Sequence, residues 1–154
     1  MQSDNHLQDF VGMPAGEFIM HRDPLLLLDW LVECEGETTA CEWLVNPNDS
    51  FVVPGEGVPA YVGVEFMAQC VAVHAGVRAR AEGFGPPLGF LLGTRHFKAS
   101  VASFEVAETY RATCRELIRD SSGMGSYDCS VLHGNTVVAT ARLAVLEKER
   151  GKKL

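Results

Sequence analysis

The stretch PAYVGVEFMAQCVAVHAGVRARAE, at residues 59–82, decides the fold of this chain. Between positions 60 and 77 it carries only three strongly polar side chains, those of Glu65, Gln69 and His74. Proline favours the first turn of a helix, and glycine, here Gly83, favours its end, so the stretch predicts one long helix. Because this helix is apolar on every face, we expect it to be buried on all sides.

The rest of the chain alternates between strand patterns and turn signals. The predicted strands lie at residues 25–33, 38–45, 88–101, 109–119, 127–132 and 136–146. Gly36 and the triplet His133-Gly134-Asn135 mark two tight hairpin turns between them. One apolar helix among antiparallel strands predicts an α+β fold, in which a curved sheet wraps around a buried helix.

The composition predicts a single acidic domain. We expect one domain over residues 1–154, with a short N-terminal segment at 1–20 and a frayed tail at 148–154. A net charge of -7 argues against nucleic-acid and anionic-membrane partners, which need a basic face. The five scattered cysteines form no CxxC pair, and the first ten residues lack a secretion-signal pattern. These features favour a cytoplasmic protein with reduced cysteines.

Four motifs resemble, in the correct order, those of a known enzyme family. They are HRDPLLLLDWLVE at residues 21–33, VPAYVGVEFMAQ at 58–69, GFLLGTRHFKASV at 89–101 and VVATARLAVL at 137–146. Together they resemble the hot-dog-fold 3-hydroxyacyl-acyl carrier protein dehydratases. The likeness is greatest to the dehydratase-like subunits of aryl polyene pigment clusters. The resemblance implies a hot-dog fold, in which the long helix is the central one.

The resemblance also implies a set of site residues. Glu65 corresponds to the catalytic carboxylate of the family, and Gln69 lies one helical turn later on the same face, where it can orient that carboxylate. The unpaired N–H groups of the helix entry, at Ala60 and Tyr61, are expected to hold the thioester carbonyl, and Phe97 to contact the substrate. A glutamate in an apolar helix is costly unless it is partnered, which favours the catalytic interpretation over a structural one. No metal or other cofactor is expected, because no two histidines have metal-ligand spacing.

One residue of the family pattern is missing. The family has a catalytic histidine 14 residues before the carboxylate, and this chain has Phe51 at that position. Aligning the loop from its other end implies a short deletion, and in neither alignment does the loop contain a histidine. His21 is expected to be structural and to cap the first strand, because its family counterpart is not the catalytic histidine.

Three functions remain open from the sequence. The first is a 3-hydroxyacyl-carrier-protein dehydratase, a hydro-lyase of fatty acid, polyene or polyketide synthesis, with an altered acid–base set. The second is a hot-dog acyl thioesterase in which Glu65 activates water. The third is a half-catalytic subunit that completes a site together with a histidine-bearing relative. We favour the dehydratase, either alone or within a heteromer.

The expected partners follow from the same resemblance. The substrate is expected to be an acyl thioester on an acyl carrier protein or on CoA. We expect a homodimer or higher oligomer, or a heterodimer with a related dehydratase, with an acyl tunnel at the subunit boundary beside Glu65. A basic patch for an acidic carrier protein is predicted from four side chains, those of Arg78, Arg80, Arg95 and Lys98.

Overall fold

The computed structural model describes residues 6–149 and 153–154 and has the predicted α+β architecture. One long helix, α1 (Gly63–Ala81), is accompanied by eight strands: β1 (Trp30–Glu35), β2 (Thr38–Leu44), β3 (Val58–Pro59), β4 (Leu88–Ala99), β5 (Ser103–Phe104), β6 (Thr109–Arg119), β7 (Met124–His133) and β8 (Thr136–Glu149). Six of them form an antiparallel sheet in the order β1-β2-β6-β7-β8-β4, and β3 pairs with β5 separately. The sheet packs against α1, as in the predicted hot-dog fold.

The helix begins and ends close to where the sequence predicts. A 3-10 turn at Ala60–Val62 leads into α1, and Gly83 follows its end with a φ of 87°, in the left-handed region that favours glycine. Inside the helix, Gly76 lies against the N-terminal segment. A Cβ atom on Gly76 would stand 1.9 Å from the carbonyl oxygen of Phe18, so this contact requires glycine.

One face of α1 is not fully buried, and the expectation of burial on all sides is wrong there. Along this face, half-buried residues recur every three or four positions, at Glu65, Ala68, Ala72, Ala75 and Ala79. This spacing places them in one stripe along the helix. The segment is long and apolar enough to cross a membrane by composition, but two thirds of it is buried inside the fold. It is therefore a core helix with one face left open.

The first strand starts later than predicted. The pattern predicts a strand from residue 25, whereas β1 starts at Trp30. The Leu25 carbonyl and the Leu27 N–H are bonded to the side-chain amide of Gln69 instead of to a neighbouring strand. The regular pairing is reached at Asp29, whose N–H donates to Glu42 O at 2.9 Å.

The boundaries of the other strands differ less from those that the sequence predicts. β7 includes Met124, which the sequence assigns to a flexible connection, and the short strands β3 and β5 are not predicted. The two hairpin turns are as expected, with φ of 55° at Gly36 and 61° at Gly134. The predicted frayed tail at 148–154 lies partly outside the described residues. At its end, the Leu154 N–H donates to Gly83 O at 2.7 Å.

Strand β4 forms an apolar edge of the large sheet. It pairs with β8 on one side, and in the part of the chain that the structure describes no strand pairs with its other side. Phe90, Leu91 and Leu92 on this strand are all more than 40% exposed. An edge strand with a run of exposed apolar side chains is a surface that pairs readily with another chain.

Candidate active site

The start of α1 is anchored by aromatic packing. The ring of Phe66 stacks on Trp43 with their centroids 3.9 Å apart, and it also meets Phe104 edge-on. Phe66 is buried beneath the sheet, so its neighbour Glu65, which lies 100° away around the helix, is directed to the open face. The packing of one residue thereby sets the direction of the next.

Glu65 and Gln69 meet as the sequence predicts. The Gln69 Nε2 donates to Glu65 Oε1 at 3.0 Å and to Leu25 O at 2.8 Å, and Gln69 Oε1 accepts from the Leu27 N–H at 2.9 Å. A backbone N–H can only donate, so it fixes the orientation of the amide and requires Gln69 to present an N–H to Glu65. Gln69 is 1% exposed, which makes it a rigid support for the carboxylate.

A cavity of about 330 Å³ lies along the open face of α1 and has Glu65 in its wall. Three alanines of the open stripe form its floor, and apolar side chains of β4 and β8 form the opposite side, including Leu88, Phe90 and Val145. From Glu65 to Ala75 the helix spans about 15 Å at 1.5 Å per residue. An elongated apolar groove with a carboxylate in its wall suits a fatty acyl chain carrying a polar reactive end.

His21 also lies in this cavity and not at the first strand, where it is expected from the sequence. Its Nε2 is 3.7 Å from Glu65 Oε1, and its Nδ1 is buried without a hydrogen-bond partner among the described residues. Capping of the first strand is therefore not what the ring does. The sequence does not predict this contact, because 44 residues separate His21 from Glu65 and the HRDP motif does not indicate where the ring points.

The predicted substrate-binding residues do not line this cavity. The Ala60 N–H donates to Ala102 O at 2.9 Å, so it is not available to a thioester carbonyl. The Gly63 N–H closes the turn on the carbonyls of Ala60 and Tyr61, and Tyr61 is 72% exposed. Phe97 packs partly buried against the core. Binding roles for Tyr61 and Phe97 stay predictions.

Phe51, at the position of the missing histidine, lies away from Glu65. It lines a separate cavity together with Asp29, Asn46 and Phe66. The first turns of α1 thus present Phe66 to one cavity and Glu65 to the other. Within a single chain, the loop that carries the family histidine and the helix carboxylate do not share a cavity.

His74 is buried on the sheet side of the helix, as its spacing from Glu65 predicts. Its Nδ1 is 2.9 Å from Thr39 Oγ1, and its ring packs edge-on against Tyr127. Burial, assisted by the nearby charges of Arg78 and Arg119, lowers the pKa of His74 to about 3. It is therefore a neutral core residue and does not replace the missing histidine.

Arg78 does not belong to a basic surface patch with Arg95 and Lys98, which corrects the predicted grouping. Its guanidinium donates to His74 O at 3.0 Å, to Thr39 Oγ1 at 3.4 Å, and also to the carbonyl of Gly36. Arg78 thus ties the last turns of α1 to the β1–β2 hairpin. Its charge is therefore used in hydrogen bonds within the fold.

Comparison with known proteins gives a family and a set of similar folds. A family model described as ApeP-like, ApeP dehydratase, matches residues 13–154. The dehydratase heterocomplex ApeI:P from Xenorhabdus doucetiae is 23% identical, with a TM-score of 0.83 over 89% of this chain and 92% of that chain. No curated protein matches the chain.

Two further solved structures resemble the chain less closely. The PaaI protein of the phenylacetic acid degradation operon of E. coli is 10% identical, with a TM-score of 0.58 over 80% of this chain and 81% of that chain. The smu.793 protein of Streptococcus mutans UA159, bound to acetyl CoA, is 14% identical, with a TM-score of 0.58 over 79% and 90%. At these identities the structural likeness shows the fold alone.

Proposed function

The chain belongs to the ApeP-like dehydratase family, and from this premise we propose that it is the Glu65-bearing subunit of a 3-hydroxyacyl thioester dehydratase. The observation that carries the proposal is the hydrogen bond from the buried Gln69 to Glu65 Oε1, in the wall of an apolar cavity. Gln69 holds the carboxyl group where the polar end of a bound acyl chain would lie. An acid–base group fixed in this way is what the elimination of water needs.

The proposed reaction removes water across C2 and C3 of the acyl chain. A histidine takes the proton from C2, the electrons of that C–H bond form the C2–C3 double bond, and the C3–O bond breaks. Glu65 gives a proton to the departing hydroxyl group, which leaves as water. The proton taken from C2 then replaces the one lost by Glu65, so the products are an enoyl thioester and water.

We further propose that the chain works beside a second hot-dog subunit. Strand β4 has an unpaired apolar edge within the described residues, and its residues Leu88, Phe90 and Leu91 also line the cavity. A subunit that pairs with this edge would cover the exposed side chains and close the groove. The similar ApeI:P structure is described as a dehydratase heterocomplex, which supports a related but different partner over a second copy.

The substrate we propose is a polyene or fatty acyl chain on an acyl carrier protein, handled in the cytoplasm. The apolar cavity supports an acyl substrate, and all five cysteines are buried and unpaired, which supports a reducing compartment. In this cavity, the small side chains at Ala68, Ala72 and Ala75 leave the width that an extended chain needs.

The activity is tested with 3-hydroxyacyl thioesters presented on a carrier protein and on CoA. We expect an enoyl thioester, followed by its ultraviolet absorbance, without release of free thiol, and a higher kcat/KM for the carrier-bound substrate. Release of thiol at a rate equal to substrate loss would identify a thioesterase and overturn the proposal. Equal kcat/KM values for the two carriers would contradict the acyl carrier protein as the natural carrier.

Replacing Arg78 with alanine should destabilise the fold and leave carrier binding unchanged. We expect the free energy of unfolding to fall by about 2 kcal/mol, because the hydrogen bonds from a charged donor to Thr39, His74 and Gly36 are lost. Thermal melting and carrier-binding titrations of Arg78→Ala measure the two effects, with the exposed Lys98→Ala as the matched control for stability. Weakened carrier binding by a fully stable Arg78→Ala variant would restore the surface-patch interpretation.

A further inference from the structure

His21 lies in a fixed position beside Glu65, and the proposed reaction gives His21 no role. The neighbouring Arg22 guanidinium donates to the carbonyls of Gly16, Ile19 and His21 at 3.1, 2.8 and 2.7 Å. These bonds hold the backbone from which the His21 ring extends. The ring lines the cavity and directs its Nε2 at Glu65 Oε1, 3.7 Å away.

The surroundings of the ring select one tautomer of His21. Its Nδ1 is buried and has no hydrogen-bond partner among the described residues. A proton on Nδ1 would bury an unpaired N–H donor, which is costly, whereas a bare ring nitrogen tolerates the position better. The neutral ring therefore carries its proton on Nε2, and that N–H faces the carboxyl group of Glu65.

Two donors thus face the same oxygen of Glu65. The Gln69 amide donates to Oε1 at 3.0 Å from the helix side, and the His21 Nε2–H faces it from the cavity side. Within residues 6–149, the other oxygen, Oε2, has no hydrogen-bond or ion-pair partner. A carboxyl group held through one oxygen has a defined orientation and presents the other oxygen to whatever enters the cavity.

We propose that His21 is a positioning residue for Glu65, an inference that rests on the proposed dehydratase function. With Gln69 it holds Oε1, so that Oε2 carries the proton delivered to the departing hydroxyl group. His21 itself exchanges no proton with the substrate in this scheme. The groups that share its cavity and carry ionisable protons are Glu65, Tyr127 and Glu147, and its ionisable chain neighbours are Arg22 and Asp23.

Two substitutions at position 21 separate positioning from the alternatives. His21→Leu keeps bulk and removes the donor, whereas His21→Gln keeps an amide N–H near the position of Nε2 and cannot act as a base. We expect kcat of the active assembly to fall about 10- to 100-fold in His21→Leu, with KM close to the wild-type value, since a loosened catalytic group costs this much. His21→Gln should recover most of the lost turnover.

A double substitution tests whether His21 acts through Glu65. In the Glu65→Gln background, adding His21→Leu should lower turnover no further, because the two changes remove the same function. An equal loss in His21→Gln and His21→Leu would overturn positioning in favour of direct proton transfer by the ring. Unchanged turnover in His21→Leu would overturn any role in the reaction.

A spectroscopic measurement decides the case independently of activity and of how well the leucine variant folds. The imidazole ¹⁵N shifts of His21 in the wild-type protein should report a proton on Nε2, and they should move in Glu65→Gln but not in the matched control Glu56→Gln. A proton on Nδ1, or ¹⁵N shifts of His21 that are unchanged in Glu65→Gln, would overturn the inference. Absence of enoyl product from the wild-type assembly would instead overturn the proposed function. The ¹⁵N measurement would still test the contact between His21 and Glu65.

Discussion

Replacing Glu65 with glutamine should lower dehydration of 3-hydroxyacyl thioesters by a factor of about 10² to 10⁴, the usual contribution of a positioned general acid. Glutamine matches glutamate in shape and still offers Oε1 to the Gln69 amide, so the hydrogen bond seen at 3.0 Å can persist. What the variant loses is the proton that the departing hydroxyl group requires. Single-turnover formation of the enoyl thioester measures this loss directly.

The stability of the same variant separates catalysis from structure. The Glu65 side chain is 44% exposed and is not part of the buried core, so we expect the free energy of unfolding of Glu65→Gln to change by no more than about 0.5 kcal/mol. Glu56→Gln, a change of the same charge at an exposed loop residue before the helix, is the matched control for turnover. Retained turnover together with a lowered melting temperature would assign Glu65 to the fold and not to the reaction.

The sequence predicts the parts of this fold that depend on local pattern. The helix can be predicted because residues 60–77 are apolar at all but three positions. Its end can be predicted because Gly83 supplies the left-handed residue that follows it. Glu65 and Gln69 are four residues apart, so their contact follows from helix geometry alone. The hairpin at Gly134 is equally local.

The parts that the sequence does not predict depend on contacts between distant segments. β1 begins late because the amide of Gln69 takes the backbone groups of Leu25 and Leu27, more than 40 residues away. Arg78 looks like a surface charge in the sequence, but its guanidinium is drawn inward by acceptors on the β1–β2 hairpin, Thr39 Oγ1 and the Gly36 carbonyl. His21 likewise meets Glu65 through the path of the chain before β1. No local pattern encodes these three contacts.

Because Phe51 replaces the loop histidine, one copy of this chain lacks a group that the proposed dehydration requires. Phe51 stands where the resembling family has its histidine, and it lines a different cavity from Glu65. A histidine on the corresponding loop of another subunit is the group that the proposed reaction needs beside Glu65. Two copies of this chain would supply Phe51 at both sites, whereas a histidine-bearing relative would complete the site that contains Glu65.

We therefore expect the chain purified alone to dehydrate 3-hydroxyacyl-carrier substrates at least about 100-fold more slowly than its co-expressed complex with a related hot-dog subunit that retains the loop histidine. The two samples are compared at equal concentration of Glu65, and size-exclusion chromatography with light scattering establishes the composition of each. Glu65→Gln in this chain alone, with the partner unchanged, should remove the gain.

The reciprocal substitution completes the test. Alanine in place of the partner's loop histidine should lower the turnover of the complex to that of the lone chain. Proton removal from C2 and proton delivery by Glu65 belong to one step, so they fail together. Rapid turnover by the lone chain would mean that a base within this chain already serves the reaction. That base would be His21, whose Nε2 lies 3.7 Å from Glu65 Oε1. In that case the complementation proposal would be wrong, and His21→Gln in the lone chain would abolish turnover instead of preserving it.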